Sequence, residues 1–113
     1  MTKRELINKV SGIMEEVAQY DIELLKHSMR VAKVSRDIYM EMGMEEDECD
    51  YIYVAGLLHD VGKMFIPKEI LYKKSRLTDE EFDLIKRHAE FGYNYLMEKG
   101  LDEFAHHAGN HHI

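Results

Sequence analysis

Imidazole and carboxylate groups recur at helical spacing in four stretches of the sequence. Glu23 and His27 lie four residues apart, on one helical face with Val31, Val34 and Ile38, and this apolar company predicts that the face points inward. Ile52, Ala55, Gly56 and His59 follow the i, i+3, i+4, i+7 pattern, which puts His59 on an apolar face with Asp60 beside it. Ile85, His88, Gly92 and Tyr95 share a third face, and Phe104, Ala108 and His111 a fourth. The chain closes on HHAGNHHI, four histidines in eight positions.

A single histidine on an apolar face more often bonds a carbonyl than a metal ion. Several histidines together with Glu23 and Asp60 are a different matter, because an unpaired buried charge costs on the order of several kcal/mol. Metal ions remove that cost. Nitrogen and carboxylate donors without thiolate suit iron, manganese or zinc, and an aspartate shared among histidines suggests more than one ion. Spacing does not choose among these metals. The closing HHAGNHHI has three readings: a purification remnant, a solvated tail, or one wall of a metal site. The interruption by Ala, Gly and Asn argues against the first.

The elements that must position these groups read as helices throughout. Thr2 with Glu5 and Thr78 with Glu81 fit capping boxes that mark two helix starts. Gly43, Gly62 and Gly100 each follow a periodic stretch and mark three stops, where a residue without Cβ can turn left-handed. Helices are predicted near 3–19, 21–42, 47–61, 79–99 and 102–113, with a short turn after Pro67. No stretch sustains the alternation of a strand. The expectation is an all-α helical bundle of about five helices, one domain over residues 1–113.

Composition sets outer bounds. A formal charge of −7 argues against a nucleic-acid partner, whose affinity comes from clustered Lys and Arg. It does not exclude a small phosphorylated substrate, since metal ions reverse the field locally. One cysteine, Cys49, cannot form an internal disulfide, and the N-terminus has no signal-peptide core, so the chain reads as cytoplasmic. The longest apolar run, YIYVAGLL, falls far short of the roughly 20 residues of a membrane span. The methionines are expected to fill gaps between helices, and Tyr51, Tyr53, Tyr93 and Tyr95 to sit at the core's edge. MEEDECD, residues 44–50, reads as a solvated loop and helix start.

Taken in order, HSMRVAKVS, AGLLHDVGKMFIPKEIL and LTDEEFDLIKRHAEFGYNYL resemble the HD-domain metal-dependent phosphohydrolases, and among them the HD-GYP group. The resemblance implies an HD domain whose site binds two or three divalent ions, iron or manganese before zinc. Glu23, His27, His59, Asp60, His88, His111 and His112 fall where that group places metal ligands, with Glu23 similar to the residue of three-metal members. Asp60 and Lys63 are the implied catalytic residues, Lys63 standing near the substrate phosphate; it also reads as a plain helix C-terminal charge beside Gly62. His106 and His107 read as structural. On this view HHAGNHHI is a wall of the site. The group continues past that pair with a Glu, an Asp-Gly and the Gly-Tyr-Pro of its name, whereas this sequence has Ile113 last, which reads as a C-terminal truncation. FGYNY, within a helix and without Pro, is no substitute.

The implied function is phosphodiester hydrolysis by metal-generated hydroxide, on cyclic di-GMP or a related nucleotide, weakened or lost where the last family Asp is missing. A sensor or regulatory domain is the expected partner. The alternative is a non-catalytic HD module that signals by contact through an incomplete metal site. A di-iron oxygenase is a third reading, disfavoured by Lys63.

Overall fold

The computed structural model describes residues 1–110, and among them every regular element is helical. The elements are α1 (Lys3–Tyr20), α2 (Ile22–Glu41), α3 (Glu46–Leu58), a 3-10 turn (Val61–Phe65), α4 (Lys68–Leu71), α5 (Asp79–Lys86), α6 (His88–Glu98) and α7 (Asp102–Asn110). The all-α expectation holds. They form two compact units, Met1–Leu58 and a second that starts at His59.

In the first unit α1 to α3 pack on one another. Asp21 separates α1 from α2 with an extended backbone, and its carboxylate accepts the Glu23 N–H at 3.1 Å, which starts α2. The buried face of α2 is Leu24, Ser28 and Ala32. The face predicted to point inward does not: Glu23 and His27 are exposed, as are Val34 at 56% and Ile38 at 53%. The reason is steric. A Cβ on Gly56 of α3 would lie 2.7 Å from the Ala32 Cα, so α2 and α3 meet through their smallest residues, and the bulky apolar ones turn away. Asp50 of α3 pairs with Arg36 at 3.4 Å and Lys3 at 3.7 Å. The acidic run is indeed a solvated start, with Glu46, Asp47 and Glu48 in the first turn of α3, where they complement the positive end of the helix dipole. Met29, Met40 and Met42 are exposed, which corrects the gap-filling role for these three, whereas Met14 and Met44 are half-buried.

In the second unit the 3-10 turn and α7 both pack on α6. Leu96, Leu101, Phe104, Ala105 and Ala108 are buried there, as the α7 face predicts. The Thr78 capping box is complete, whereas at Thr2 the hydroxyl accepts the Glu5 N–H but donates to the Glu5 carboxylate, so only half of the box forms. Gly43 and Gly100 take φ of 77°, as expected of helix stops. Gly62 does not. Tyr51, Tyr53, Tyr93 and Tyr95 are half-buried. Among the described residues, no helix is long and apolar enough to cross a membrane.

Candidate metal centre

The predicted helix over 47–61 stops three residues early, at Leu58, and this leaves His59 and Asp60 in the turn that follows. The turn is closed by the Lys63 N–H donating to the Asp60 carbonyl at 3.0 Å, the first bond of the 3-10 turn. Both side chains are buried, His59 at 7% and Asp60 at 3% exposure. A buried carboxylate needs compensation. Asp60 Oδ2 lies 3.0 Å from His59 Nε2 and 3.1 Å from the Lys63 ammonium. Burial alone would raise the Asp60 carboxyl, but the hydrogen bonds and charges of His59 and Lys63 together outweigh it and hold the group well below the usual carboxylate range. Asp60 is therefore ionised.

His88 reaches the other oxygen. The predicted helix over 79–99 is broken at Arg87, which ends α5 and precedes α6, and His88 is the first residue of α6. Its Nδ1 lies 2.7 Å from the Ile85 carbonyl. A carbonyl only accepts, so Nδ1 carries the proton, and in the neutral ring Nε2 is left with the lone pair. That nitrogen lies 3.7 Å from Asp60 Oδ1, longer than a hydrogen bond, with both atoms out of reach of solvent.

Two acceptors that face each other call for a cation between them, either a proton or a metal ion. Two ligands of one ion, each at about 2.0–2.2 Å, lie roughly 3–3.5 Å apart. The two nitrogen-to-carboxylate separations, 3.0 Å and 3.7 Å, bracket that span. An imidazole whose far nitrogen is fixed by a carbonyl is the usual arrangement of a metal-binding histidine. The donor set thus fits a divalent ion of the iron, manganese or zinc kind.

Backbone packing sets the spacing. A Cβ on Gly62 would fall 1.8 Å from the His88 carbonyl oxygen and 2.6 Å from the Gly92 nitrogen. Only a residue without a side chain lets the turn that carries Asp60 and Lys63 sit directly on the helix that carries His88. Gly62 is required for this approach and not for a left-handed stop.

Within the second unit the predicted site residues His59, Asp60, Lys63 and His88 come together in this way. Glu23 and His27 lie on the exposed face of α2 in the first unit, with Glu23 3.7 Å from Lys26. His111 and His112 lie outside the described residues. His106 is exposed and meets the Tyr93 ring edge-on at 5.4 Å, which suits its structural reading, and His107 is half-buried. Sequence reasoning missed the Ile85 carbonyl, for which periodicity gives no signal. It also missed the true role of Gly62, although a second glycine at 92, four residues after His88, was a usable hint.

The HD domain family matches residues 24–113. The 3'3'-cGAMP-specific phosphodiesterase 1 of Vibrio cholerae is 31% identical over 91% of this chain and 23% of its own length. A cyclic di-GMP phosphodiesterase of Thermotoga maritima is 39% identical over 81% of this chain and 25% of its own. A cyclic di-GMP phosphodiesterase response regulator of Xanthomonas campestris is 37% identical over 59% of this chain and 18% of its own. The chain thus spans about a quarter or less of the length of these relatives. No solved structure matches it.

Proposed function

The chain belongs to the HD-domain family, and from that premise we propose that it is a metal-dependent phosphodiesterase of the HD-GYP type acting on cyclic di-GMP or a related cyclic dinucleotide. The observation that carries the proposal is the committed His88 ring, whose Nδ1 is held by Ile85 so that Nε2 and the ionised Asp60 converge on one point. His59, Asp60 and His88 would hold divalent ions, joined in the family's pattern by Glu23, His27, His111 and His112, to a total of two or three. Iron and manganese fit best, and zinc is compatible. Bound ions of this kind supply Lewis acidity and a water acidic enough to yield hydroxide near neutral pH.

The chain's own residues do the rest. Asp60 offers two carboxylate oxygens and so can serve two ions. Lys63 is 27% exposed at its side chain and pairs with Asp60; on exchanging that partner for phosphate it would offset the charge that develops in the transition state. The Ile85 carbonyl keeps the His88 ring in one tautomer and orientation. The cyclic di-GMP and cGAMP named for the relatives support the substrate class. We place the reaction in the cytoplasm, and a sensor or regulatory domain as partner, in keeping with the greater length of the relatives and the response regulator among them.

Protein loaded with manganese or iron should linearise cyclic di-GMP, and a His59→Ala/Asp60→Ala variant should not. Equal turnover by the two proteins would refute the assignment. Metal binding without turnover would instead leave a non-catalytic HD module.

A further inference from the structure

Phe65 ends the 3-10 turn that begins beside Asp60, and at 47% exposure it is a large ring only half covered. It does not stand alone. Its ring lies 6.5 Å from Phe91, near perpendicular, and 5.4 Å from Tyr95. Phe91 and Tyr95 follow His88 on α6 at three and seven residues, on the same helical face. One face of one helix therefore carries a metal-ligand candidate and then, a turn further on, an open aromatic cluster.

The cluster is flanked by cations in a chain of net charge −7. The Arg87 guanidinium sits 5.0 Å over the Phe91 ring, with its Nε held by Glu90 at 3.2 Å, and the Lys99 ammonium sits 5.4 Å over Tyr95. Lys63 is two residues before Phe65 on the turn. Aromatic faces edged with Arg and Lys are the pairing that nucleotides select: the rings stack on a base, and the cations attract phosphate. A basic or purely apolar partner fits this charge pattern less well.

On the strength of the nucleotide reading above, on which this inference rests, we infer that Phe65, backed by Phe91 and Tyr95, is the platform on which a purine base of the substrate stacks, and that it sets specificity for nucleotides over other phosphodiesters. No bond is made or broken by it. Phe65 is a binding residue, and its loss should act on affinity.

The chain has no Trp, so a Phe65→Trp variant places a single tryptophan in the platform, excited selectively over the tyrosines. Cyclic di-GMP and guanosine monophosphate should quench its emission saturably, and ribose 5-phosphate, which has no base, should not. Phe65→Ala should weaken cyclic di-GMP binding roughly tenfold or more, with the melting temperature nearly unchanged because the ring is half exposed, and Phe65→Trp should restore the affinity. Absent quenching, or an unchanged dissociation constant in Phe65→Ala, overturns the platform. Turnover separates the two readings. If cyclic di-GMP is hydrolysed with the same KM by parent and Phe65→Ala, the platform falls and the hydrolase stands; if the base binds and quenches but nothing is hydrolysed, the hydrolase falls and the platform stands.

Discussion

Replacing Gly62 by Ala adds one methyl group where the structure has no space for it. The new Cβ would sit 1.8 Å from the His88 carbonyl oxygen, 2.6 Å from the Gly92 nitrogen and 2.8 Å from the His88 carbonyl carbon. These are backbone atoms of a helix, which cannot swing aside as a side chain would. The turn and α6 must therefore part by roughly 1.5 Å to restore ordinary contact. Overpacking typically costs about 1–3 kcal/mol, and a backbone obstacle places this substitution near about 3 kcal/mol. For a chain of this size that lowers the melting temperature by about 10 °C. The functional loss should be larger, because the same movement pulls His88 from Asp60, now 3.7 Å apart at their facing atoms. A displacement of about 1 Å in a catalytic array costs on the order of 100-fold in rate. Urea titration, thermal melts and metal content per chain, measured on parent and Gly62→Ala together, read both effects. A variant that melts within about 2 °C of the parent and retains its metal would refute the packing argument.

Gly12→Ala is the matched control: nothing lies within 4 Å of the added Cβ at this exposed position of α1, so stability should rise by about 0.5–1 kcal/mol in urea titration. Gly56→Ala meets the Ala32 backbone at 2.7 Å and should lose about 1–3 kcal/mol by the same measurement, with α2 and α3 forced apart. Glu81 accepts from Lys73 at 2.6 Å and from the Thr78 N–H, which hold its carboxyl below the ordinary value. A depressed folded value means stabilisation that is present above the unfolded pKa and lost as pH falls through the folded one. Thermal melts of Glu81→Gln should thus lie below the parent's at neutral pH and converge with them in acid. His88→Gln, which keeps a polar side chain but no ring nitrogen, should bind less metal per chain while the secondary structure measured by circular dichroism is unchanged.

The sequence was a good guide to helix and a poor one to helix faces. Start signals were readable because Thr78 and Glu81 satisfy backbone groups locally, and Gly43 and Gly100 stop helices by their own conformational freedom. The inward face of α2 was not, because periodicity weighs side chains by apolarity, whereas the α2–α3 contact is decided by smallness, at Ala32 and Gly56. The break at Arg87 was invisible for a related reason: no Gly or Pro marks it, and yet it brings the Ile85 carbonyl within 2.7 Å of the His88 ring. His59, Asp60 and His88 were legible as candidate ligands from residue type, but their geometry depends on the contact between two glycines 30 positions apart in sequence, which no local pattern encodes.

The central claim is that His59, Asp60 and His88 exist to hold metal, and metal content tests it most directly. Protein prepared without chelator should carry iron, manganese or zinc, about two or more ions per chain, and a His59→Ala/Asp60→Ala variant, folded by circular dichroism, should carry almost none. Equal metal in the two proteins, or none in the parent after incubation with manganese or ferrous iron, would contradict the account.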